Sequence, residues 1–255
     1  MKLEDKLMHL AILPGQVGEY CILPGDPGRC GAIAERLERA ERIAQNREFV
    51  TYTGYLDGQR VSVCSTGIGG PSAAIALEEL VQAGAHTFIR VGTCGGMARA
   101  VQGGDVVVAQ SAVRQEGTSR EYMPIQYPAT ADFQVTAALC RAAQSLGYRW
   151  HVGVVQSKDS FYGQHEPGRM PVHNQLEQQW RAYCQAGVLA SEMEAAALFV
   201  VAAVLHVRCG AVLSALWNQE RDGDHLTDTA VLSPKRAIDT AVEALRRLIE
   251  SDRKE

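Results

Sequence analysis

The chain has 255 residues, 46% of them hydrophobic and 21% charged, with a formal net charge of −4, a composition able to bury a sizeable globular core. Lysines and arginines are scattered and form no basic face, which argues against a binder of nucleic acid or anionic membrane and still allows local positive charge for a small anion. The seven cysteines (Cys21, Cys30, Cys64, Cys94, Cys140, Cys184 and Cys209) include no CxxC pair and read as reduced thiols of a soluble, cytoplasmic protein. Zinc-site spacing, a signal-peptide apolar core and an apolar run of membrane-spanning length are all missing from the sequence.

Glu19 to Leu23 reads as a strand, and after Gly25-Asp26-Pro27-Gly28-Arg29 a helical pattern runs to about Ala40. Pro27 suits a helix start, where its missing N–H leaves nothing unpaired. Arg60 to Ser65 is the next strand, Gly67 to Gly70 a turn, and Pro71 to about Ala83 a helix. His86 to Val91 predicts a buried strand ending at a glycine turn, Gly92-Thr93-Cys94-Gly95-Gly96. Strands over Asp105–Ala109, His151–Gln156 and Cys209–Trp217 alternate with helices over Ala131–Leu146, Gln175–Gln185 and Ser191–His206. Ser233 caps a last helix with Pro234 in its first turn and Ile238, Val242, Leu245 and Ile249 along one face. Alternation of this kind predicts an α/β fold: one domain over residues 1–255, with a mixed, mainly parallel sheet flanked by helices. Ligands of such sheets bind beyond the carboxyl ends of strands, where the glycine turns fall.

Three segments carry chemistry. In Gly25-Asp26-Pro27-Gly28-Arg29, glycines allow close backbone approach and Arg29 adds a planar charged fork suited to phosphate; the plain alternative is a turn with a solvated arginine. Arg90 ends an apolar strand, where its charge needs an anion or a carboxylate, and the Thr93 hydroxyl follows. Gly67-Ile68-Gly69-Gly70-Pro71-Ser72 has Ser72 at the third glycine position of the dinucleotide fingerprint, so it does not predict NAD. Ser191-Glu192-Met193-Glu194 opens an apolar helix; its acids serve either as favourable charges at a helix N-terminus or as bidentate acceptors for sugar hydroxyls. Together these residues point to phosphate-using sugar chemistry.

The same segments, in this order, resemble the nucleoside phosphorylase-I family, above all its uridine-cleaving members. The resemblance runs from Met8-His9-Leu10 to the last helix: Val63 to Ser72 matches a long glycine motif, Arg90-Val91-Gly92-Thr93 a phosphate turn, Asp159-Ser160-Phe161-Tyr162-Gly163-Gln164 a base pocket and Glu192-Met193-Glu194 a ribose motif. It implies a partly barrel-like sheet and a pentosyltransferase that turns uridine and phosphate into uracil and ribose 1-phosphate. It further implies that Gly25, Arg29, Arg90 and Thr93 hold phosphate, with Arg47 reaching it from a neighbouring subunit. His9, crossing the same interface, would join Thr93, Met193 and Glu194 at the ribose, and Cys94, Gly95, Phe161 and Gln164 would surround the base. Arg90, Gln164 and Glu194 are the expected catalytic residues. No cofactor is expected beyond phosphate as co-substrate, but Glu48, Ile68 and Ser72 match positions that hold potassium between subunits in some relatives. The implied assembly is a hexamer with shared sites.

Two departures stand out: Cys94 follows Thr93 where the family has a second threonine, and the base pocket differs. Glu166 occupies the place of an arginine that contacts uracil in the family, and Arg169 is expected to replace it, with His165 assisting. Asn218 fits the pyrimidine pattern, whereas Asp222 and Asp224 keep a purine nucleoside phosphorylase in play. The same fold could also serve a water-using nucleosidase or a non-catalytic nucleoside-binding protein; the intact set Arg29, Arg47, Arg90 and Glu194 argues against both.

Overall fold

The computed structural model describes residues 6–223 and 229–254, without the side chains of 222 and 223. Ten strands lie in one sheet among these residues: β1 (Tyr20–Pro24), β2 (Glu38–Asn46), β3 (Phe49–Leu56), β4 (Gln59–Cys64), β5 (Thr87–Gly96), β6 (Val106–Gln115), β7 (Ala129–Thr130), β8 (Trp150–Lys158), β9 (Ala190–Glu192) and β10 (Arg208–Asn218). The strand order is β10-β6-β8-β9-β5-β1-β4-β3-β2, with β7 beside β6, and a further pairing of β10 with β5 closes the first five strands into a barrel. The rest of the sheet extends from β5 as an open wing.

Chemistry dictates this layout. β1, Tyr-Cys-Ile-Leu-Pro, is buried along its whole length, as a strand paired in parallel with β4 and β5 requires. β2 carries Glu38, Arg39, Glu41 and Arg42 and, among the described residues, pairs only with β3, so its charges guard the open edge. The helices are α1 (Arg29–Ala34), α2 (Gly70–Gln82), α3 (Thr118–Tyr122), α4 (Phe133–Ser145), α5 (Phe161–His165), α6 (His173–Gln185), α7 (Ala195–Val204), α8 (Gln219–Gly223) and α9 (Lys235–Asp252). Two apolar clusters flank the sheet. One joins α2 and α7 through residues such as Leu77 and Leu198; the other joins α1, α4 and α9 through Ile33, Leu139 and Leu245.

Several expected elements change at their ends. The helix after Arg29 stops at Ala34 and the chain reappears as β2, so the stretch to Ala40 is not helical. Gly92 to Gly96 form no turn: they stay in β5, paired with β10 as far as Asn218 opposite Gly96. Ser191 and Glu192 lie in β9, and the apolar helix begins only at Ala195. Glu192 nevertheless acts as a helix-end acid, accepting the Ala195 N–H at 3.0 Å.

Candidate active site

A cavity of about 870 Å³ opens beyond the carboxyl ends of β1, β4 and β5 and against the barrel strands β8, β9 and β10. Arg90 lies at its heart, on β5 and only 4% exposed. Its Nε donates to Glu192 at 3.0 Å and its Nη2 donates to Glu194. Nη1 is buried and makes no hydrogen bond among the described residues. A Cβ placed on Gly25 would lie 3.9 Å from that nitrogen, so bare backbone faces it. Burial opposes the Arg90 charge, but Glu194 and then Glu192 outweigh burial and hold its pKa above the ordinary value. Gly92 makes this posture possible: a Cβ there would come within 2.9 Å of Arg90 Nη2 and 2.8 Å of Leu213 Cδ2.

Glu194 takes the Gly69 N–H at 2.6 Å on its other oxygen. Gly69 has φ of +90°, a conformation that favours glycine. Burial raises the Glu194 pKa, and the neighbouring Arg90 counters it. Arg29 faces the cavity from the start of α1, with Asp26 at 3.6 Å from its Nε. Thr93, Met193 and the buried thiol of Cys94 complete this part of the wall.

The other wall is aromatic. Phe161 and His165 lie tilted at 45° with ring centroids 4.3 Å apart, and His165 meets Trp217 edge-on at 5.9 Å. Lys158, on the end of β8 and 6% exposed, sets its Nζ 5.9 Å from the Phe161 ring centroid. That Nζ donates to Ser191 Oγ at 2.7 Å, and Ser191 Oγ donates to Gln164 Oε1 at 2.7 Å. Burial lowers the Lys158 pKa, and Glu192 and Glu194 push it back up. Four buried charges therefore balance, Arg90 and Lys158 against Glu192 and Glu194, which is how ions survive there. An oxyanion pocket, a carboxylate for a diol and a cation beside an aromatic slot are the parts that nucleoside chemistry needs.

Residues 19–251 match the phosphorylase superfamily. The chain belongs to this superfamily. It is 52% identical to the uridine phosphorylase of Treponema pallidum over 96% of this chain and 95% of that protein. The uridine phosphorylase of Thermococcus kodakarensis is 43% identical over 98% and 89%. The guanosine phosphorylase of Halorubrum lacusprofundi is 38% identical over 94% and 95%.

Within this phosphorylase, Gly25, Arg29, Glu48, Ile68, Ser72, Arg90, Thr93, Cys94, Gly95, Phe161, Met193 and Glu194 all line the one cavity. Gln164 stands just behind its wall, tied to Ser191. Arg169 does not reach the site. Its side chain is 66% exposed and pairs with Glu166 at 2.5 Å, because both sit on one turn three residues apart. Lys158 is the buried cation on this wall; its signal in the sequence, a lysine ending an otherwise uncharged strand, resembles that of Arg90. His165 does line the cavity.

His9 and Arg47 also lie off this chain's own cavity. His9 Nδ1 is 2.6 Å from Glu79 Oε1, and its carbonyl accepts from Asn46 at 2.7 Å. The two residues thus share one surface, since Asn46 precedes Arg47 at the tip of the β2–β3 hairpin. Arg47 holds φ of +52° there, a sparsely populated conformation for a non-glycine residue. Asn218 pins backbone: its Nδ2 donates to Ala98 and Val101 at 2.8 Å each. Asp224 and the side chain of Asp222 lie outside the described residues.

Proposed function

We propose that this phosphorylase cleaves uridine with inorganic phosphate to give uracil and ribose 1-phosphate. One observation carries the reading: buried Arg90 grips Glu194 and keeps Nη1 without a hydrogen bond among the described residues, toward the Gly25 backbone, in the cavity where Lys158 stands over Phe161. Phosphate seats on Arg90 Nη1, Arg29 and Thr93, and draws Arg90 away from Glu194. Glu194 then accepts the ribose hydroxyls. As the C1′–N1 bond lengthens, positive charge on the sugar faces phosphate and Glu194, and negative charge on the base carbonyls faces Lys158 and the Gln164 amide. A phosphate oxygen bonds to C1′ from the opposite face, and the uracil anion leaves and takes a proton from solvent. Donors aimed at such developing charge are worth about 2.7–4 kcal/mol each, so no covalent nucleophile is required.

His9 and Arg47 fit this scheme as contributions of a second chain, in a hexamer whose paired subunits complete each other's sites. We place the enzyme in the cytoplasm, in pyrimidine salvage; none of the helices among the described residues is long and apolar enough to cross a membrane. Glu48 and Ser72, hydrogen-bonded at 2.8 Å beside Ile68, offer oxygen donors of the type a potassium ion takes, and such an ion would need further oxygens from a second chain. The similarity to a guanosine phosphorylase favours one alternative substrate class, purine nucleosides. Arg90→Ala is expected to lose rate and phosphate dependence together; an unchanged apparent phosphate affinity would show that the anion binds elsewhere.

A further inference from the structure

Two carboxylates answer the charge of Arg90, and the fold holds them differently. Glu194 accepts from Arg90 Nη2 on one oxygen and from the Gly69 N–H at 2.6 Å on the other. Glu192, whose side chain is 1% exposed, is caged by donors. Its Oε2 accepts from Arg90 Nε at 3.0 Å and from the Glu194 N–H at 2.8 Å. Its Oε1 accepts from the Ser157 hydroxyl, and both oxygens share the Ala195 N–H at 3.0 Å. Ser157 Oγ is itself fixed by the Ala196 N–H at 2.9 Å. A carboxylate offers about four lone-pair sites, and protein donors fill them here. Glu192 therefore lines the cavity with its acceptors already committed, so a sugar hydroxyl finds none to bind.

We infer that Glu192 is a positioning residue for phosphate: it stays on Arg90 Nε throughout turnover and holds the guanidinium with Nη1 aimed into the anion pocket, while Glu194 is the carboxylate that exchanges. The inference rests on the phosphorolysis reading above and divides the two acids of Glu192-Met193-Glu194 between two tasks. A guanidinium is planar and rigid, so a fixed contact at Nε sets the direction of both terminal nitrogens. Nη1 then faces the Gly25 backbone, where it makes no hydrogen bond among the described residues. Glu192 can keep this post because its other partners are backbone N–H groups at the β9–α7 junction and a fully buried serine of β8. When phosphate draws Arg90 from Glu194, Glu192 keeps the guanidinium from following the anion and keeps its buried charge answered between turnovers.

Phosphorolysis of uridine and of 2′-deoxyuridine by the full-length protein and by Glu192→Gln tests this, with calorimetric titration of inorganic phosphate alone as the direct measure of the anion site. Every group hydrogen-bonded to the Glu192 carboxylate is a donor, so the amide of glutamine must turn an N–H toward one of them and loses the charge that answers Arg90. The KM for phosphate, and its dissociation constant in the titration, should rise about tenfold or more. The KM for uridine at saturating phosphate and the preference for uridine over 2′-deoxyuridine should stay as in the wild type. A folded variant with wild-type phosphate binding would overturn the inference. So would a collapse of the uridine preference, which would make Glu192 a contact of the 2′-hydroxyl. If glutamine prevents folding, Ser157→Ala decides: it keeps the charge and frees one side of the carboxylate, so the KM for phosphate should rise about threefold, and an unchanged value would overturn the inference. A wild-type protein whose nucleoside cleavage ignores phosphate would instead defeat the reading on which the inference rests, an outcome separate from a phosphate-dependent enzyme in which Glu192→Gln changes nothing.

Discussion

At the scale of single residues, a buried guanidinium is tolerable only with its charge answered, and Arg90 has two carboxylates doing so while Nη1 makes no hydrogen bond among the described residues. Gly92→Ala puts a methyl against Arg90 and Leu213 and should cost about 1–3 kcal/mol, measured by denaturant unfolding, together with a raised KM for phosphate. Lys158 and Arg169 make opposite predictions. Lys158→Met should lower kcat for uridine by on the order of 100-fold, whereas Arg169→Ala, whose partner is the exposed Glu166, should leave kcat within about twofold of wild type, as surface changes do. A pH profile separates charge from shape. Burial lowers the Lys158 pKa from its ordinary 10.5, so the ammonium and the rate it supports are present at lower pH and are lost as pH rises through that depressed value. Lys158→Arg, which keeps its charge to higher pH, should move the alkaline limb of kcat upward. A limb in the same place for lysine and arginine would assign it to another group.

At the scale of elements, strong periodicity is readable in the sequence and local signals at element ends are not. The final helix follows its sequence pattern, with Ala237, Ile238, Ala241, Val242, Leu245 and Ile249 on the buried face. Leu245→Ala should therefore cost about 2–5 kcal/mol on unfolding and leave the KM for phosphate untouched. The β2 strand is hidden in the sequence: its alternating charges look like a solvated helix face until β3 pairs with it. Glycines at 92–96 suggest a turn because isolated glycine weakens a strand, yet here they make room for Arg90 and Asn218 against paired backbone. Arg90, Glu194 and the glycine motif can be placed from sequence because each is costly without a ligand or partner. Lys158 shows a similar signal, but its setting becomes visible only once the closed barrel brings Ser191, 33 residues on, against it.

At the scale of the whole molecule, the closed barrel and the open wing meet along β5, so the cavity takes wall residues from both. His9 and Arg47 gather on a surface outside this cavity, and in the proposed mechanism they complete the site of a second chain. Mixing Arg47→Ala with Arg90→Ala, each inactive alone, should restore phosphorolysis, because one site of a mixed pair then carries both arginines; activity that never returns on mixing would place Arg47 outside any shared site. The most direct measurement of phosphate-dependent uridine cleavage is release of free base from uridine, with and without phosphate, with inosine and guanosine run beside it. Uracil and ribose 1-phosphate should appear from uridine only when phosphate is present, with little cleavage of the purine nucleosides. Phosphate-dependent cleavage of guanosine or inosine with none of uridine would keep the anion site and contradict the base assignment, and cleavage that ignores phosphate would contradict the role of Arg90.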